Sequence, residues 1–304
     1  MQLVAIFGPT GVGKTAVAVA LAERLRERGE DPVAISADAL QVYQGLGRLT
    51  GTATPEQRAR LEHRLVGFIP ITETFSAGEF AALAQSEIDE ALTAGRRPIV
   101  VGGTGLYLQA ALCDLDLRPP PPPSVRERLL RALERRGPEA LHAELAERAP
   151  TAAAAIQSGD RSRIVRALEL VEMGEDPAPT GEGSGLWTAE TRHPTLLCGL
   201  VMNRDVLYER IDKRVEEILA TGGAVEVYRA DSAGASRTAR QALGFEELLR
   251  GDTEAMKRRT RNYAKRQLTW MRKLPGVHLI DVTKLGSAEA AALILAASEG
   301  SAET

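Results

Sequence analysis

The chain has 304 residues, with 38 Lys and Arg against 41 Asp and Glu, for a formal net charge of −3. At 44% hydrophobic and 26% charged residues it has the make-up of an ordinary globular protein of one large or two modest domains, and its overall charge argues against a uniformly basic nucleic-acid binder. Cys113 and Cys198 are too few and too separated for a disulfide framework, so a reducing cytoplasm is expected.

Leu3 to Phe7 is a short continuous apolar run that suits a buried parallel strand. It runs into Gly8-Pro9-Thr10-Gly11-Val12-Gly13-Lys14-Thr15, which matches the phosphate-loop pattern G-x-x-x-x-G-K-[ST] at every fixed position. Thr15 to Arg28 then has helical spacing, with Val17, Leu21 and Leu25 on one side. In such a loop the glycines let backbone N–H groups point inward around a polyphosphate, and the helix adds the positive end of its dipole. Lys14 reaches a terminal phosphate, and the Thr15 hydroxyl is placed to hold Mg²⁺. A motif beginning at Gly8 leaves no room for a signal peptide, and no apolar run approaches the roughly 20 residues that span a bilayer.

A second short strand is expected over Pro32 to Asp38, ending in a carboxylate. Ligands in open α/β sheets sit beyond the carboxyl ends of the strands, so Asp38 belongs near the phosphate loop. A free aspartate is ionised at neutral pH and able to accept a proton. Gln41-Val42-Tyr43 and a glycine- and threonine-rich stretch from Gly45 to Pro55 follow. Phe75 to Ala94 is helical in spacing, and Ser76 with Glu79 makes a capping box. Arg97 to Val101 reads as a third buried strand ending in Gly102-Gly103-Thr104-Gly105, another close approach to a ligand. The alternation predicts a parallel sheet with helices on both faces.

Pro119 to Pro123 breaks this pattern with a stiff, extended spacer. Val125 to Arg136, Pro138 to Arg148, Ala152 to Ile156 and Arg161 to Met173 are then expected to be helical, and Gly174 to Gly185 a loop. Thr195 to Val201 resumes the composition of a buried strand. The simplest organisation is an α/β core at 1–116 and 194–304 with a small helical domain at 117–193 inserted in it. Arg204 to Leu219 is a helix with Ile211, Val215, Ile218 and Leu219 on one face and Arg210 and Arg214, one turn apart, on another. The two arginines repel by a few tenths of a kcal/mol unless an anionic ligand lies between them or Glu217 neutralises them on a solvated surface. Thr238 to Leu249 follows. A basic helix follows, with eight basic side chains and one acid between Glu254 and Lys273. Such a helix suffices for a phosphate backbone even in a slightly acidic chain, although Trp270 within it also fits a core position. His63, His142, His193 and His278 lack metal-ligand spacing. From Gly286 on, a last helix and a loose end are expected.

A phosphate loop usually serves a nucleotide kinase or NTPase, and a small-molecule or nucleotide kinase remains an alternative on these residues alone. Six stretches taken in order nonetheless resemble one family, the bacterial tRNA dimethylallyltransferases. They are Gly8 to Thr15, Ser36 to Tyr43, Gly102 to Tyr107, Asp160 with Arg163 to Glu169, Gln241 to Phe245, and Tyr263 to Trp270. The resemblance runs from Leu3 to about Asp281. It implies a P-loop NTPase-like parallel sheet with a helical insertion, a prenyltransferase acting on a tRNA anticodon stem-loop, dimethylallyl diphosphate as co-substrate, and Mg²⁺. It further implies Asp38 as the base, Thr104 beside the reacting centre, and Lys14 and Arg214 on the leaving diphosphate. Gly8, Pro9, Thr10, Gly11, Val12, Gly13, Thr15 and Arg210 complete the diphosphate site, with Thr15 on the metal. Asp38, Ala39, Leu40 and Gln41, together with Arg163, Arg166, Arg266 and Trp270, would contact tRNA. A monomer is the default. One stretch departs from the family pattern: Gly51-Thr52-Ala53-Thr54-Pro55 has Thr54 where the family usually has lysine.

Overall fold

The computed structural model describes residues 2–178 and 186–300. In the first part of the chain, β1 (Leu3–Phe7) leads to α1 (Lys14–Glu27), β2 (Pro32–Ser36), α2 (Gly47–Thr50), α3 (Pro55–Arg60) and β3 (His63–Arg64). Then come α4 (Ala77–Thr93), β4 (Arg97–Gly102) and α5 (Gly105–Leu112). The helices α6 (Pro123–Arg148), α7 (Pro150–Ala154) and α8 (Arg161–Glu172) form a separate group. The chain continues with β5 (Thr195–Val201), α9 (Arg204–Ala220), α10 (Gly223–Ser232) and α11 (Phe245–Leu249). It ends with α12 (Thr253–Met271), β6 (His278–Asp281) and α13 (Ser287–Gly300).

Among the described residues the six strands are all parallel, in the order β3-β2-β4-β1-β5-β6. Ala5 of β1 pairs with Val100 of β4 on one side and Leu197 of β5 on the other. Every residue of β1 and β2 is buried, as strands covered on both faces require. The chain crosses from β1 over β4 to β2 and returns to β4. This places the loops after β1, β2 and β4 side by side at one end of the sheet, where a ligand binds in such folds. Helix α1 is buried through Val17, Leu21 and Leu25 against this sheet and α13. Each such apolar side chain contributes about 1.5–3 kcal/mol when fully buried. A second apolar cluster around Tyr43, Leu49, Val215, Phe245 and Met256 joins the segment after β2 to α9, α11 and α12.

The capping box predicted at Ser76 and Glu79 is present, each side chain bonding the other's backbone N–H. Thr54, the departure from the family pattern, caps α3 in the same way with Gln57, and Pro55 opens that helix. The residue that replaces lysine here therefore has a local structural use. Thr238 to Leu249 is not one continuous helix. A 3-10 turn at Ala239–Gln241 is followed by Gly244 at φ 95°, and only then by α11. A Cβ at Gly244 would lie 2.4 Å from the Met256 side chain, so this glycine is required by both its conformation and its packing.

The chain divides into two compact units, Met1–Leu115 with Leu186–Thr304, and Asp116–Gly185. In the smaller unit, Pro122 caps α6 and Pro123 opens it, so the proline run ends inside a helix start. Gly137, at φ 79°, breaks α6 in two where the sequence suggests two helices. Leu129, Leu133, Leu141, Leu145, Ile164 and Leu168 form its own core. Residues 179–185 of the expected loop and 301–304 of the expected tail lie outside the described residues. Residues 186–193 are held to the larger unit: the Arg192 N–H donates to the Leu112 carbonyl, and His193 meets Asp89 at 2.6 Å. Among the described residues no helix is long and apolar enough to cross a membrane. Both cysteines are free and buried, and burial pushes Cys113 up to about 11 and Cys198 up to about 12.

Candidate active site

The loop after β1 turns tightly through Gly11 and Gly13, both at positive φ, and hands over to α1 at Lys14. The Lys14 ammonium folds back onto the carbonyls of Gly8 and Pro9, at 2.9 and 3.0 Å. Lys14 keeps partial surface exposure as a residue, but its charged end is turned inward away from water. Burial lowers its pKa to about 8, opposed by the charge of Asp38 and reinforced by that of Arg214. Among the described residues the N–H groups of Gly11 and Gly13 have no protein acceptor, and neither does the Thr15 hydroxyl have a partner. These donors, with the open first turn of α1, form an anion cradle.

Asp38 follows β2 and shapes its own loop, accepting a hydrogen bond from the Leu40 N–H at 3.0 Å. Its charge acts on Lys14, Arg214, Tyr107 and Tyr263, so the carboxylate lies within electrostatic reach of the cradle. Thr104, at the end of β4, accepts from the Ala39 N–H at 3.3 Å and lies 3.4 Å from the Tyr263 hydroxyl of α12. Burial, with Asp38 adding to it, pushes Tyr263 up to about 12. Asp38, Lys14 and Thr104 are thus assembled from the ends of three neighbouring strands.

Arg214 comes from α9 and is packed against the loop Gly45 to Pro55. A Cβ on Gly51 would lie 1.9 Å from its Nη2. Burial depresses the Arg214 guanidinium, and the charges of Asp38 and Glu217 oppose that effect. Of the two surroundings open to the arginine pair, Arg214 therefore has the enclosed one beside Asp38. Arg210 is exposed and sits at the rim, its Nη2 3.5 Å from where a Gly13 Cβ would be.

Gln41 is engaged inside the protein. Its Nε2 donates to the carbonyls of Thr50 and Gly51, and the Ser36 hydroxyl donates to its Oε1. Ala39 and Leu40 lie beside it on the same loop, half-buried. Trp270 is half-buried with its ring against the Gly105 backbone, where a Cβ would come within 2.2 Å. It stacks on Trp187 at 4.7 Å, and Lys273 covers the outer indole at 5.3 Å.

The basic helix α12 is less free than its composition suggests. Lys257 pairs with Glu216 and Glu254, Arg259 with Glu247, and Arg261 with Asp212. Arg258, Lys265, Arg266 and Arg272 are exposed with no carboxylate partner among the described residues, and Arg266 lies over the Tyr263 ring. In the smaller unit Arg163 is exposed beside Asp160, whereas Arg166 is bound to buried Glu169 and to the carbonyls of Arg118 and Pro119. A cavity of about 950 Å³ between Val201, Leu207, Leu268 and Met271 lies along α12, and none of the cradle residues lines it. Among the described residues no group of three or more His, Cys, Asp or Glu side chains is arranged to hold a metal. A divalent ion in the cradle would therefore rest on the Thr15 hydroxyl and on ligand oxygens, the usual mode for Mg²⁺ at phosphates.

A loop of phosphate-binding sequence at the end of a parallel sheet, within electrostatic reach of Asp38 and half-buried Arg214, defines a protein of the P-loop-like α/β class. Residues 41–274 match the model of the IPP transferase family. The tRNA dimethylallyltransferase of Thermobifida fusca is 40% identical over 287 residues, covering 91% of this chain and 88% of that protein. That of Anaeromyxobacter dehalogenans is 42% identical over 288 residues, covering 91% and 94%. The crystal structure of the full-length tRNA isopentenylpyrophosphate transferase of Bacillus halodurans superposes with a TM-score of 0.70 at 33% identity, over 99% of this chain and 98% of that one. A eukaryotic dimethylallyltransferase caught acting on tRNA superposes with a TM-score of 0.77 at 25% identity, over 99% and 79%. The chain belongs to the IPP transferase family, the tRNA dimethylallyltransferases.

Proposed function

We propose that this enzyme transfers the dimethylallyl group of dimethylallyl diphosphate to N6 of the adenosine 3′-adjacent to the tRNA anticodon, releasing pyrophosphate. One arrangement carries the reading: the Asp38 carboxylate lies within electrostatic reach of Lys14 in the glycine loop and of half-buried Arg214. N6 attacks the allylic carbon, the C–O bond to the diphosphate breaks with its electron pair going to pyrophosphate, and the N6 proton passes to Asp38. Charge grows on the leaving group, so donors already aimed at it are the main catalytic device. Lys14, the N–H groups of Gly11 and Gly13, and Arg214 are those donors, with Arg210 at the rim. Mg²⁺ bound at Thr15 would neutralise diphosphate charge. Thr104, fixed by Ala39 and Tyr263, positions the reacting groups.

The adenine must leave its stack to meet Asp38, at a cost of a few kcal/mol. Contacts to the RNA backbone from Arg258, Lys265 and Arg266 of α12, from Arg272 at its C-terminal cap and from Arg163 offset it. Incubating the protein with labelled dimethylallyl diphosphate and unmodified tRNA tests the reading. Label appearing in tRNA as N6-dimethylallyladenosine is the expected result. ATP turnover with no transfer would instead make the chain a kinase.

A further inference from the structure

Gln267 lies on α12 and is 4% exposed. Its Oε1 accepts the Thr10 N–H at 2.8 Å, and its Nε2 donates to the Gly103 carbonyl at 2.7 Å. One amide has one acceptor end and one donor end, and here each is used on a different loop of the site. The fit is tight: a Cβ on Gly103 would stand 2.3 Å from Gln267 Nε2 and 3.2 Å from Lys14 Nζ. The amide and the ammonium therefore share one small space. Thr10 lies in the phosphate loop, and Pro9 beside it has no N–H to offer. With the Thr10 N–H held by Gln267, the loop presents Gly11, Gly13 and the first turn of α1 to an anion.

Gln267 does not act from an isolated position. Tyr263, Gln267 and Trp270 are spaced to share one face of α12. All three touch the site loops, at Thr104, at Thr10 with Gly103, and at Gly105. The same helix exposes Arg258, Lys265 and Arg266. We infer that Gln267 is the positioning residue of the phosphate cradle, setting the separation of the loops after β1 and β4 from within the basic helix. The inference rests on the proposed transferase reading for what the cradle holds, but the clamp itself is read from the contacts.

The test uses inorganic pyrophosphate as the probe of the cradle and an anticodon stem-loop RNA as the probe of α12, both titrated onto the full chain by calorimetry. Gln267→Met fills the space but makes neither bond. It is expected to weaken pyrophosphate binding about tenfold, as loss of buried polar partners does, and to slow single-turnover transfer by at least as much. Stem-loop affinity is expected to stay within about twofold, since no phosphate contact is removed. Gln267→Asn keeps the amide on a shorter arm, and is expected to recover part of the pyrophosphate affinity by holding one loop. If Gln267→Met fails to fold, Gln267→Asn decides alone, with weaker pyrophosphate binding and unchanged stem-loop affinity as the supporting result. Unchanged pyrophosphate affinity would overturn the inference. So would parallel loss of pyrophosphate and stem-loop affinity, because Gln267 would then only be holding the helix in place. Pyrophosphate binding by the unaltered chain does not depend on prenyl transfer, so failure of the proposed reaction would be seen separately.

Discussion

Gly51 gives way to Arg214: the guanidinium occupies the space that any Cβ at position 51 would take. Gly51 also holds φ 65°, and its carbonyl is bonded by Gln41. The loop from Gly45 to Pro55 is therefore the seat of an arginine and not a free surface turn. Gly51→Ala is expected to displace Arg214 and lower kcat by about ten- to a hundredfold, the scale of losing one preorganised donor. Affinity for an anticodon stem-loop should change little. Steady-state kinetics beside a binding titration would check this, and an unchanged kcat would separate Arg214 from the leaving group.

Lys14 sets a pH limit. Burial has lowered its pKa to about 8, so the ammonium is protonated below that value and is lost as pH rises through it. The kcat/KM for dimethylallyl diphosphate is expected to fall on the basic side near pH 8, since that ratio reports the free enzyme. Lys14→Arg keeps a charge that does not titrate in this range, so the basic limb should disappear even if the rate is lower. A limb that survives in Lys14→Arg belongs to another group.

Asp38 bears on the same profile. Its charge raises the Lys14 pKa against burial. Asp38→Ala is expected to reduce turnover by about 10²–10⁴-fold as a lost general base, with stem-loop affinity preserved. The residual activity should show its basic limb shifted to lower pH, because the ammonium has lost a stabilising neighbour. A limb that stays in place would mean that Asp38 and Lys14 are not coupled.

Much of this architecture is legible from residue order. The strands Leu3–Phe7 and Thr195–Val201 are continuous apolar runs, and a phosphate loop announces the end of one of them. The strand His63–Arg64 is two residues long, and His278–Asp281 is exposed at three of four positions, so neither carries a buried-strand pattern. Helix α10 opens after Gly222 at φ 93°, a start without a polar capping side chain to mark it. In the site, Lys14, Asp38 and Thr104 stand at strand ends, where topology alone gathers them. Gln267 and Gly51 do not, since their partners are Thr10 and Arg214, far away in the chain. Gln267 falls within the Tyr263 to Trp270 stretch that resembles the family, but nothing in that stretch names its partners beyond an amide at a buried helical spacing beside Ala264 and Met271.

The cations of α12 divide by partner. Arg261 is tied to Asp212, and Arg259 to Glu247. Arg258, Arg266 and Arg272 are open to solvent. Replacing one of the open arginines with alanine is expected to weaken tRNA binding across sequences and to reduce the slope of log affinity against log salt by about 0.7, as for a lost phosphate contact to single-stranded RNA. Arg261→Ala should leave that slope nearly unchanged. Binding titrations at several salt concentrations separate the two groups, and equal slopes for all variants would remove α12 from the RNA interface.

Arg163 and Arg166 make the same distinction in the smaller unit. The Glu169 carboxylate is fully buried, and Arg166 is its nearer cation at 3.2 Å, with Arg126 at 3.6 Å. Arg166 also donates to the Arg118 and Pro119 carbonyls that precede α6. Arg166→Ala leaves the buried Glu169 carboxylate with Arg126 at 3.6 Å as its remaining cation, so the cost is about 3 kcal/mol, the lower end of the range for a broken buried pair. Arg163 is 73% exposed beside Asp160, so Arg163→Ala should change stability by less than about 0.5 kcal/mol. Denaturant unfolding of the full chain is expected to show a lowered transition for Arg166→Ala alone. Stem-loop binding at matched folded fraction is expected to fall for Arg163→Ala. If Arg166→Ala leaves the unfolding midpoint intact while weakening RNA binding, its guanidinium is a tRNA contact and the Glu169 pairing is incidental.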